Sequence, residues 1–172
     1  FDALHLRGVV LCAQGKMIEG ARLIERALSL IPGEARASMN FAAALVELGN
    51  PRAAISALTQ ARRLHRRDAA LAAALGRALF AAGEHLEAET AFRDARVLDP
   101  LDAGAILGLA RVLAARDDRD GALTLYRRAT AENALLEAAW VGCAQVELDG
   151  GDAAAAKASC RTGLQHCPQS VE

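Results

Sequence analysis

The sequence predicts an all-α fold, a solenoid of antiparallel helix pairs, on three observations. The 172 residues repeat with a period of 34, and small and bulky side chains keep fixed places within that period. Composition agrees: hydrophobic residues make up 53% of the chain and aromatic ones only 3%. Alanine and leucine must therefore supply the packing, where strands would ask for β-branched and aromatic side chains. A chain of this length has room for one domain with a real core.

Five blocks align without insertion or deletion, at residues 1–34, 35–68, 69–102, 103–136 and 137–170. Each reads as a helical hairpin. In the first helix, position 8 is always small, with Gly8, Ala42, Gly76, Ala110 and Ala144. The turn follows at position 15, where Gly15, Gly49, Gly83, Asp117 and Gly151 suit the left-handed residue that ends a helix. In the second helix, position 20 is small in Gly20, Ala54, Ala88, Ala122 and Ala156, and position 27 in Ala27, Ala61, Ala95, Ala129 and Gly163. Position 24 is bulkier, with Ile24, Leu58, Phe92, Tyr126 and Cys160. Small residues opposite larger ones let two helices approach and interdigitate. Pro32, Pro100 and Pro168 stop the second helix, and Asp68 is placed to cap the helix after it.

A lone amphipathic hairpin cannot bury both apolar faces, so the blocks gain stability from their neighbours. The expected unit is one array over residues 1–172. Val171 and Glu172 read as the opening of a sixth block, and the first residue is Phe1, which fits a segment of a longer chain.

This pattern resembles the tetratricopeptide repeat family, over 170 of 172 residues and five times in register. It departs at position 4, where Leu4, Ser38, Ala72, Ile106 and Trp140 include one aromatic residue. The resemblance implies a right-handed superhelix whose concave groove is lined by the first helix of each pair. Carried over by position, the groove residues are Met39, Asn40, Arg77, Phe80, Leu107, Arg111 and Gln145. The lysine and asparagine clamp that some members close on a partner's C-terminal carboxylates is absent: His5, Val9, Asn40, Ala70 and Ala74 stand there, and only Asn40 matches. Nor is there an asparagine ladder, since Asn40 is followed by Ala74, Gly108 and Gly142. Position 9 offers Arg77, Arg111 and Gln145 in successive repeats, a short row of donors. Guanidinium groups hold carboxylates in a two-pronged grip, so an extended peptide with one or two acidic residues fits beside Met39, Phe80 and Leu107. The alternative is that each arginine pairs with an acid of its own domain.

Catalysis needs a nucleophile, an acid or base and a transition-state partner in one pocket. His5, His65, His85 and His166 fall in different repeats and read as surface or packing residues. Cys12, Cys143, Cys160 and Cys167 match no C-x-x-C or zinc spacing, and read as reduced, small packing residues, with Cys143 and Cys160 facing each other in the fifth hairpin. "GLARVLAARDDRDG" and "ELDGGD" lack phosphate-loop and calcium-loop spacing and read as turns. No catalytic residue, metal or cofactor is expected. The opening "FDALHLRGVVLCAQGK" resembles bacterial repeat arrays that precede glycosyltransferase, sulfotransferase or hydroxylase domains, which implies recruitment of substrates to a fused or associated enzyme.

Charge excludes other partners. The chain carries a formal -1, and no apolar run approaches the length of a membrane span. The stretch "ARRLHRRD", residues 61–68, raises nucleic acid as a ligand but has no aromatic stacking partner. It ends a second helix, with Ala61 and Leu64 toward the core, in a block of net +4 beside one of net -3, which favours pairing between repeats. The expected protein is a non-catalytic module for a protein or peptide partner, with no nucleic acid and no membrane insertion. The alternative is a scaffold that self-associates through uncapped terminal helices. Reduced cysteines suggest the cytoplasm, or the periplasm if a signal precedes this segment.

Overall fold

Ten helices follow one another in the computed structural model, which describes residues 1–168. Val171 and Glu172, and with them the expected sixth block, lie outside the described residues, as do positions 169 and 170. Among the described residues there is no strand. Each block supplies two helices: α1 (Asp2–Ala13) and α2 (Met17–Leu30), α3 (Ala35–Glu47) and α4 (Pro51–Leu64), α5 (Ala69–Ala81) and α6 (His85–Leu98), α7 (Ala103–Ala115) and α8 (Arg119–Glu132), α9 (Glu137–Asp149) and α10 (Ala153–His166).

The punctuation acts where the sequence places it. Gly15, Gly49, Gly83 and Gly151 take φ of 80°, 75°, 80° and 84° between paired helices, and Asp117 takes 65° at the equivalent turn. That conformation is strained for any residue with a side chain, least so for Asp and Asn. Helices α2, α6 and α10 each end two residues before a proline, which has no N–H to continue the ladder. At the following joints the backbone N–H of Ala37 donates to Glu34 Oε2 at 2.6 Å, that of Leu71 to Asp68 Oδ1 at 3.0 Å, and that of Ala105 to Asp102 Oδ1 at 2.7 Å. Leu136 holds the same place before α9 and caps nothing.

Two units are distinguished, Phe1–Pro100 and Leu101–Glu172. In the first, Leu58 is fully buried in a cluster with Ala42 of α3, Ala61 of α4 and Leu71, Ala74 and Ala78 of α5. The bulky residue of the second helix thus lies between the first helices of its own block and the next. In the second unit Tyr126 of α8 does the same, among Ile106 and Ala110 of α7 and Ala139, Cys143 and Val146 of α9. Small residues make room: a side chain at Gly142 would run into the Tyr126 ring, and one at Gly8 would meet Ile24 at 2.6 Å.

One packing expectation fails. Cys143 is buried, but Cys160 is exposed, so the pair does not form an internal contact of the fifth hairpin. Leu58 and Tyr126 are covered by the first helix of the next block, whereas α10 is the last helix among the described residues.

Candidate functional site

In the first unit the backbones of α1 and α3, and of α3 and α5, lie side by side, while no Cα atoms of α2, α4 and α6 come within 8 Å of one another. The first helices are therefore the inner layer of the bend and the second helices the splayed outer one. Along the inner layer, α3 and α5 enclose a cavity of about 150 Å³. Met39, Ala42, Ala43, Val46 and Glu47 of α3 and Ala74, Arg77 and Ala78 of α5 line it. Its floor is apolar because the repeat puts alanine where helices must approach. Its rim carries one cation and one anion, and Arg77 is exposed.

The predicted groove residues divide by location. Met39 and Arg77 share that cavity. Asn40 is turned toward α1, with Nδ2 2.9 Å from His5 Nε2. The ring of Phe80 lies tilted against that of His85 across the hairpin turn, with centroids 5.2 Å apart. In the second unit Leu107 packs on the apolar cluster. Arg111 hydrogen-bonds the hydroxyl of Tyr126; burial raises the phenol pKa and the guanidinium offsets part of the rise. Gln145 Nε2 donates to Asp149 Oδ1 at 2.8 Å, one turn along α9. The three residues of position 9 thus have different surroundings despite their common place in the repeat.

Sequence reasoning missed a buried polar cluster in the second unit. Glu147 of α9 is only 6% exposed, yet it accepts from Arg127 Nη2 of α8 at 3.0 Å and from Ser159 Oγ of α10 at 2.7 Å. Cys143, one turn earlier on α9, is pushed up to about 11 by burial first and by the Glu147 charge second, so it stays a protonated, unreactive thiol at neutral pH. The signal was available at position 11, where Leu11, Leu45, Leu79 and Leu113 give way to Glu147. A carboxylate replacing an otherwise constant leucine needs partners if it is buried. In the first unit Glu89, also buried, is met by Arg93 at 2.6 Å on the same helix.

The basic stretch 61–68 ends α4 as expected. Ala61 is buried, Arg62 lies 3.5 Å from Asp94 of α6, and Arg63, Leu64, His65, Arg66 and Arg67 are exposed. Leu64 was expected to face the core and instead lies largely in solvent, at 65% exposure. It covers Gly33 of the preceding turn, where a side chain would collide with it, so its contact is with the neighbouring joint. Among the described residues no helix is long and apolar enough to cross a membrane.

Comparison with known proteins agrees with this architecture. The tetratricopeptide repeat family model matches residues 39–103 and 107–171. No curated protein matches the chain. Among solved structures, TTC0263, a thermophilic TPR protein in Thermus thermophilus, is 23% identical, with 99% of this chain and 93% of that one covered and a TM-score of 0.87. A structure described as pilF of Pseudomonas aeruginosa is 17% identical, with coverage of 96% and 75% and a TM-score of 0.81. YrrB, described as a TPR protein with an unusual peptide-binding site, is 17% identical, with coverage of 97% and 86% and a TM-score of 0.67. Such a fold, an all-α solenoid of helix pairs, points to protein–protein interaction, and proteins built this way are generally non-catalytic scaffolds. With more than half of its residues matched, this chain belongs to the tetratricopeptide repeat family.

Proposed function

We propose that the chain is a non-catalytic module that holds an extended segment of a partner protein along the inner layer of first helices. The observation that carries this reading is the cavity between α3 and α5, about 150 Å³ with an apolar floor and Arg77 at its rim. That volume accommodates one aliphatic side chain, and a guanidinium beside it suits an acidic neighbour in the same peptide. Met39 and Arg77 make the primary contacts, Asn40 and Phe80 extend the wall, and Leu107, Arg111 and Gln145 serve the same role in the second unit. A peptide-binding site is described for YrrB, which gives the fold a precedent for this use. Recruitment of substrate proteins to a bacterial enzyme is the context that the opening segment suggests.

Peptides selected from a displayed random library would test it. Ala43 is exposed and lines the cavity, so Ala43→Trp fills the space without disturbing the core. Selected peptides lose at least about tenfold in affinity for this variant, since an apolar anchor is worth roughly 1.5–3 kcal/mol. Unchanged binding would remove the groove as the site. Changing Arg77 to alanine separates acidic from neutral ligands of this cavity, because only the acidic ones weaken.

Self-association is a second reading, favoured by the exposed Cys160 and the 48% exposure of Leu164 on α10. Light scattering over a dilution series decides it, and a constant monomer mass rejects it.

A further inference from the structure

We infer that the turn between α4 and α5 is a second docking surface, separate from the groove, for an acidic peptide segment that carries an aliphatic residue. Residues 63–70 line an open depression of about 970 Å³ at this turn. Arg63, Arg66 and Arg67 are exposed and take part in no ion pair among the described residues, while the nearby Arg62 is committed to Asp94. With Arg62 they form the densest run of arginine in a chain of net charge -1.

The depression is also held in shape. His65 Nε2 lies 3.1 Å from the carbonyl of Gly33 at the preceding turn, and Leu64 covers that same glycine. On the other side the Asp68 carboxylate accepts the Leu71 N–H and fixes the start of α5. Both ends of the turn are tied to neighbouring structure, so the arginines project from a fixed backbone and a ligand need not order it.

Chemistry selects the ligand. Leu64 is 65% exposed amid the cations, an apolar surface that a peptide side chain covers and a sugar-phosphate backbone does not. The lining contains no Phe, Tyr or Trp on which a base could stack. Two or three carboxylates spaced along an extended peptide match the arginines by two-pronged contacts, with one leucine or isoleucine against Leu64.

A fluorescein-labelled twelve-residue peptide of glutamate and serine with one central leucine is the probe, followed by anisotropy against the intact chain. Expected are saturable binding that weakens as salt is raised, and a loss of about tenfold or more in the variant carrying Arg63→Glu, Arg66→Glu and Arg67→Glu. Far-UV circular dichroism checks that the variant folds; if it does not, the milder pair Arg66→Gln and Arg67→Gln replaces it, with a loss of about threefold expected. The same peptide without its leucine binds several-fold more weakly. In the Ala43→Trp chain, whose groove is filled, binding still falls when the three arginines are reversed, which separates this surface from the groove. Equal affinity for the charge-reversed chain, tighter binding of an oligothymidine of equal length, or no effect of charge reversal once Ala43→Trp has filled the groove would each overturn the assignment.

Discussion

Gly76 on α5 faces the ring of Phe92 on α6, and replacing it with alanine sets two opposed effects against each other. An added Cβ would lie 2.8 Å from both Cδ1 and Cε1 of Phe92. Carbon atoms prefer about 3.5–4.0 Å, so the ring or one helix must withdraw by roughly 0.7–1.2 Å. Phe92 is 1% exposed, and in a close-packed interior such overpacking costs about 1–3 kcal/mol. Alanine in mid-helix returns about 1 kcal/mol of propensity over glycine. Steric cost wins, and Gly76→Ala destabilises by about 1 kcal/mol. In a Phe92→Leu background the smaller, more flexible side chain yields, and the same change becomes neutral or stabilising. Urea denaturation of the four chains, followed by far-UV circular dichroism, gives the coupling between the two positions, expected at about 1–2 kcal/mol. Amide exchange in α5 and α6 localises it. An alanine variant as stable as its parent, or the same change in both backgrounds, refutes the close-packing account.

Two further predictions concern the second unit. Asp117 holds φ 65° where the other four repeats have glycine, so Asp117→Gly raises stability by roughly 0.5–1 kcal/mol; its exposed ion pair with Arg119 is worth less than the strain relieved. A lower midpoint in urea would contradict this. Cys143 gives an alkaline signature: its pKa is about 11 in the fold against the ordinary 9.0. Below pH 9 both states hold the proton and nothing changes. Between pH 9 and 11 the unfolded thiol ionises first, so stability falls as pH rises, by on the order of 2 kcal/mol at the upper end. Cys143→Ala is less stable at pH 8 but flatter through that window, and equal slopes for the two chains would refute the assignment.

Much of this architecture is legible because each repeat states its own punctuation. Gly15, Gly49, Gly83 and Gly151 declare left-handed turns, Pro32 and Pro100 declare ends, and Asp68 declares a start; these are local backbone requirements that hold whatever the neighbours. Side-chain destinations are less legible, since they depend on which elements are present around them. Cys160 occupies the place of Phe92 and Tyr126, yet only a following helix would bury it. Arg77, Arg111 and Gln145 share a position, but the tyrosine beside Arg111 and the aspartate one turn from Gln145 differ from block to block. Met39 and Arg77 meet on one cavity because alanines of two different repeats leave the space between them, a property of the pair that neither block carries alone.

The carboxylate of Glu147 has a consequence for the order of the hairpins. It accepts from Arg127, at position 25 of the fourth block, and from Ser159, at position 23 of its own. Position 25 of the first two blocks holds Glu25 and Thr59, so transplanting the fifth hairpin behind either would place an acid or a neutral hydroxyl where the arginine now stands. Hairpins that look interchangeable by period are thus keyed to their neighbours, and the sequence of modules is written in side-chain chemistry as well as in the covalent chain.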